Sequence, residues 1–153
     1  MKKRFFLISI ALFAAALSQA QPINTSTPEA NLKAAQEAEG NNNPYEALDR
    51  YQKVYDDGKD KAIAAKLAKL NYDLRDYERA EKGFSKLVLR DRKGEFTELR
   101  YWLAMSMKHN AKYQDAIDNF TQYISDGADE ALKKSAKLEI EGCKLAQKAK
   151  QPE

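Results

Sequence analysis

From Pro28 onward, apolar residues recur three and four positions apart, with polar residues between them. That spacing gathers the apolar positions onto one face of an α-helix. In "KYQDAIDNFTQYISDG" the stripe is Tyr113, Ala116 and Phe120: a ring, a methyl group and a ring. Two earlier stretches repeat it. "PYEALDRYQKVYDDG" centres on Ala47 with Tyr51 four residues on, and "DYERAEKGFSKLVLRD" centres on Ala80 between Tyr77 and Phe84. The three alanines are 33 and 36 residues apart, close to the period of about 34 residues of a helix–turn–helix repeat. A small residue between two rings makes a notch in the stripe. A neighbouring helix can enter the notch while the rings close over its flanks.

Each notched stretch is preceded by the pattern of a partner helix. Its core positions are Leu103, Ala104 and Met107 before the third copy, and Ala64, Leu67 and Ala68 before the second. The first copy is weaker, with Ala34, Ala35 and Ala38. Thr27 before Pro28, and Asn43 before Pro44, read as N-caps followed by a first-turn proline. Asp57-Gly58, the run "RDRKGE" around Gly94, and Asp126-Gly127 read as turns. The final segment "DEALKKSAKLEIEGCKLAQKAK" puts Leu132, Ala136, Ile140 and Cys143 on one face and lysines elsewhere, which suits a terminal helix covering the last repeat. The pattern therefore predicts an all-α chain of seven helices: three pairs at about 28–60, 61–95 and 96–128, then a capping helix at 129–149. A flexible segment is expected at 21–27 and a disordered tail at the end.

The Ala-x-x-x-aromatic core at this period resembles the tetratricopeptide repeat (TPR). The resemblance implies an α-solenoid whose inner face is built from the first helix of each pair. On this sequence the inner-face positions fall on Lys66, Lys69, Tyr72 and Asp73, then on Tyr101, Trp102, Met105 and His109. Aromatic residues beside lysines have the composition of a peptide-binding groove. Trp102 equally suits a core position between Leu99 and Leu103, and His109 in "KHNAK" reads as a solvated turn residue. The stretch "WLAMSMKHNAKYQDAIDNFTQYISD", followed by "KLEIEGCKLAQ", is similar to the N-terminal TPR region of Bacteroidota envelope proteins. Those proteins join TPRs to a PD40-repeat propeller and an OmpA-like domain, and their best-known members belong to type IX secretion machinery. That resemblance implies a scaffold at the outer membrane. The sequence ends at Glu153, about where a propeller would begin, and has no lipobox cysteine such as some members carry. Two expectations follow: an amino-terminal part of a longer scaffold, or a stand-alone periplasmic TPR protein that self-associates.

Charge changes the picture once the first twenty residues are set aside. Lys2, Lys3 and Arg4, an apolar run from Phe5 to Leu17, and Ser18-Gln19-Ala20 have the layout of a secretory signal peptide, with cleavage expected after Ala20. The run is thirteen residues, short of the roughly 20 that span a bilayer. Three of the 26 basic residues and none of the 23 acidic ones lie in this segment, which leaves 23 of each. A neutral mature chain gives no case for nucleic-acid binding. The two signs are interspersed, as in "DDGKDKAIAAK", which reads as a solvated surface. Cys143 is the single cysteine, so no internal disulfide is available, and its place in an apolar stripe predicts a buried, inert thiol. There is no phosphate loop, cysteine pair, His-x-x-x-His or Gly-x-Ser-x-Gly. The sequence thus predicts a periplasmic protein or peptide binder rather than an enzyme. No cofactor, metal or small-molecule substrate, and no membrane span after cleavage, is expected.

Overall fold

The computed structural model describes residues 27–150, apart from 92, 93, 95, 96 and 128. The expected signal peptide, residues 21–26 of the expected flexible segment and the last three residues lie outside the described residues. Within them the chain is all-α. Its helices are α1 (Pro28–Gly40), α2 (Pro44–Gly58), α3 (Lys61–Asp73), α4 (Tyr77–Arg90), α5 (Leu99–His109), α6 (Tyr113–Ser125) and α7 (Glu130–Ala149).

Local chemistry fixes most of the helix starts. Thr27 accepts a hydrogen bond from the Ala30 amide, and Asn43 from the Glu46 amide, each ahead of a first-turn proline. Asp60, Asp76 and Asp129 cap α3, α4 and α7 in the same way. Such caps satisfy amides that the helix itself leaves unpaired, at about 1 kcal/mol each. The expected turn at Asp57-Gly58 lies one residue later, because α2 runs through Gly58 and Lys59 takes the left-handed conformation, with φ 52°.

One turn occurs three times. Asn42, Arg75 and Ala111 each have positive φ, at 54°, 64° and 60°. The amide that follows each reaches back to Ala38, Asn71 or Met107 at 2.8–2.9 Å. The amides of Asn42, Arg75 and Ala111 themselves bond Glu39, Tyr72 and Lys108 at 2.9–3.0 Å. This is the Schellman closure of a helix C-terminus. Here it leads each time straight into the next helix, so the pairs α1–α2, α3–α4 and α5–α6 are built alike.

The notch alanines pack as their spacing predicts. Ala47, Ala80 and Ala116 are fully buried, and each shares a core cluster with Tyr51, Phe84 or Phe120. Ala35, Ala68 and Ala104 lie twelve residues earlier on the partner helices and are buried too. Every helix packs on its neighbours in sequence, and α3 also reaches α5, as α5 reaches α7. The close approach is tightest at Gly83, where an added Cβ would stand 2.9 Å from that of Ala68. On α7, Ala136 and Cys143 are buried while Leu132 and Ile140 pack beside them. Its outer side is less polar than expected, since Leu138 and Leu145 stand exposed among the lysines.

Candidate functional site

The inner-face positions sit along α3 and α5. Three of them, Lys66, Lys69 and Trp102, meet at a cavity of about 540 Å³, while Tyr72, Asp73, Tyr101, Met105 and His109 lie outside its lining. Ala62, Ala65, Lys66, Lys69, Leu99 and Trp102 line it. Lys69 reaches across, with Nζ 4.4 Å from the centroid of the Trp102 ring and 2.6 Å from the Asp73 carboxylate. A cation held over an indole in this way contributes about 0.5–1 kcal/mol at an exposed site. Trp102 is half-buried. It packs against two core clusters and also lines the cavity, so each of its two sequence readings describes one side of the ring.

Trp102 belongs to an aromatic group that joins three helices. Tyr72 on α3 meets Trp102 edge-on at 5.2 Å, Tyr77 on α4 at 5.4 Å and His109 on α5 at 5.8 Å. Tyr77 and His109 stack at 4.1 Å with ring planes 7° apart. His109 is therefore the last residue of α5, exposed to solvent on one side and stacked on the Tyr77 ring on the other. Burial, then the neighbouring Lys108 charge, hold its pKa below the usual 6.5 and favour the neutral ring. Burial, with the Tyr77 and Tyr101 phenols nearby, pushes the Tyr72 hydroxyl up to about 12.

One expected inner-face residue, Tyr101, behaves differently from the rest. Tyr101 is 5 % exposed and packs among Phe120, Tyr123 and Trp102. Its hydroxyl lies 2.9 Å from Ser135 of α7. The capping helix covers this position, so Tyr101 is a core residue and offers no surface to a partner. Met105, like Trp102, is half-buried and packs against the same cluster under α7. Of the repeat-packing rings, Tyr113 is half-buried, with Lys150 Nζ 4.9 Å from its centroid.

The first helices of successive pairs are tied at equivalent positions by different chemistry. Glu39, Tyr72 and Lys108 each stand eight residues before a notch alanine. Glu39 pairs with Lys66 at 2.7 Å, Tyr72 meets Trp102, and Lys108 pairs with Glu139 of α7. Glu39 also accepts a hydrogen bond from the buried Tyr51 hydroxyl. Burial opposes charge on Glu39, but the bonds from Lys66 and Tyr51 outweigh it and lower its pKa. The bond to Glu39 raises Lys66. Every polar group of this triad is bonded within the fold, so it acts as a tie between helices. Burial raises the Cys143 thiol, as suits an inert core position.

Among the described residues no group of three or more His, Cys, Asp or Glu is placed to hold a metal ion. No described helix is long and apolar enough to cross a membrane. No protein-family model matches the chain, and no curated protein matches it. Sequence reasoning passed over the face of α4 that carries Arg79, Lys82, Lys86 and Arg90. These residues recur at intervals of three and four, a helical stripe that was visible in "RAEKGFSKLVLR" beneath the neutral overall charge.

Proposed function

We propose that this chain is an exported, non-enzymatic interaction module of the TPR type. In this reading three repeats and a capping helix present the α3–α5 face to a protein or peptide partner. The observation that carries it is the open cavity at Trp102, set in a fold where one helix pair, turn and alanine notch recur three times. An aromatic ring exposed on one side and fixed on the other is a low-entropy anchor for a partner. Placement in the envelope, as a scaffold of an outer-membrane OmpA-like or type IX secretion assembly, extends the sequence resemblance and rests on it.

The test is capture from a bacterial envelope extract with immobilised wild-type chain, Trp102→Ala and Lys69→Glu, followed by identification of the retained protein. A partner retained by wild type and lost by both variants, with helical content unchanged, supports the reading. Equal retention by all three moves the contact off this face. A chain whose mass on a sizing column rises with concentration, and falls in Trp102→Ala, assigns the face to self-association instead.

A further inference from the structure

We propose that the opposite side of α3 holds a second binding site, a cleft between α2 and α4 that takes an acidic polypeptide segment anchored by one apolar side chain. The site shares no lining residue with the Trp102 cavity. Its floor is apolar: Ala64, Leu67 and Ala68 of α3, with Gly83 and Leu87 of α4. Its rim is basic: Lys59 and Lys61 on one side, and Arg79, Lys82, Lys86 and Arg90 on the other. No lining residue is acidic.

The cleft exists because the second helix pair lacks a filler that the other two possess. Sixteen residues before and three residues after each notch alanine, the first pair has Asn31 and Arg50, and the third has Arg100 and Asn119. Both pairs bond across their helices at 3.3 Å, arginine to asparagine. The second pair has Ala64 and Gly83 at those positions. Two small residues leave a cavity of about 210 Å³ where the others hold an arginine side chain.

Charge and length select the occupant. Lys59 is paired with Asp56 and Arg79 with Asp76. Lys61, Lys82, Lys86 and Arg90 form no ion pair with any described residue. Beyond the α4 ridge, Glu81 is already bonded to Asn110 and Lys112. Arg79 to Arg90 spans eleven residues of helix, about 16 Å. A row of cations that long matches several anionic groups spaced along a chain, not one headgroup. The volume suits one leucine- or phenylalanine-sized side chain, below the roughly 300 Å³ at which drug-sized ligand sites begin. An acidic peptide supplies both the spaced charges and the anchor, whereas a sugar–phosphate backbone supplies only the charges.

The probe is a dye-labelled Glu-Glu-Asp-Leu-Glu-Glu-Asp peptide, with fluorescence anisotropy read against the purified chain at low and physiological salt. Comparison ligands are the same peptide with serine for leucine, its glutamine and asparagine version, and a single-stranded oligonucleotide of equal charge. The expected result is salt-sensitive binding that the serine peptide weakens about tenfold and the uncharged peptide loses. The exposed double change Lys82→Glu/Lys86→Glu should weaken it about tenfold or more, while Lys69→Glu leaves it unchanged. Ala64→Leu should fill the floor and reduce binding; if that variant misfolds, the lysine pair alone decides. Absence of binding at low salt, an oligonucleotide that binds as tightly as the peptide, or a double variant that binds like wild type overturns the proposal.

Discussion

The two sides of α3 are both lined with lysines, yet they differ in what those lysines face. On the inner side, Lys66 is bonded to Glu39, and Lys69 to Asp73 and the Trp102 ring. The cations there are consumed in holding helices together. On the outer side, Lys61, Lys82 and Lys86 look over an apolar floor with no carboxylate in the lining. Net charge is therefore a poor guide to binding in this molecule. What matters is whether a cation's partner is already inside the fold.

Both sides rest on one ring. Phe84 is 1 % exposed and lies in the cluster that joins α3, α4 and α5. It also touches the inner cavity. Phe84→Ala should cost about 3–5 kcal/mol, read as a fall in the urea midpoint with the slope retained. A loss below 1 kcal/mol would show that the two sides are supported separately. Tyr45→Ala, at a 73 % exposed position away from this core, is the matched control and should change little.

Gly83→Ala probes the closeness that shapes the outer cleft. Alanine gains about 1 kcal/mol of helix propensity over glycine. The added methyl, however, would stand 2.9 Å from the Ala68 Cβ, and overpacking a rigid contact costs about 1–3 kcal/mol. The expected balance is a loss of about 1 kcal/mol, measured by chemical denaturation. A gain in stability would mean that α4 can move outward freely, and then the cleft is not preformed.

Acidity separates the sides further. The folded-state pKa of His109 is depressed below 6.5 by burial and then Lys108. Its contribution is thus fully present above pH 6.5 and is lost as pH falls through the lowered value. Glu39 is likewise depressed, from 4.5, and adds a second loss at lower pH. Lys66 is raised above 10.5, so its share is present below that value and disappears as pH rises through the folded one. The melting temperature should therefore fall in two steps on acidification, and His109→Gln should remove the upper step alone. An unchanged upper step would assign it to a group outside the Tyr72–Tyr77–His109 stack.

Much of the fold was legible because each element rests on local chemistry. The notch alanines, the proline-marked helix starts and the turn at Gly127 need only short-range spacing, and all stand where the pattern puts them. The site was less legible, because burial of an inner-face residue depends on what lies above it. Tyr101 and Trp102 are adjacent in sequence and both aromatic, yet α7 covers Tyr101 and leaves one side of Trp102 open. The outer cleft depends on an absence: Ala64 and Gly83 look unremarkable until the Asn31–Arg50 and Arg100–Asn119 bonds show what fills that place in the other pairs. The partner position that decides it lies nineteen residues away, and no local pattern carries that information.

The smallest expected effect is the most discriminating one. Lys69→Glu removes an ion pair and a cation–ring contact, and it puts a carboxylate near Asp73 and the indole face. Lys86→Glu removes no ion pair with a described residue. Exposed pairs are worth about 0–1 kcal/mol, so Lys69→Glu should lower stability within that range while Lys86→Glu stays near zero. Trp102 is the chain's single tryptophan, which makes its emission a local reporter on the inner side. Its intensity or wavelength should change in Lys69→Glu and stay fixed in Lys86→Glu. If both substitutions shift Trp102 emission equally, the two sides of α3 are coupled through the helix, and a ligand in the outer cleft would then be felt at the inner face.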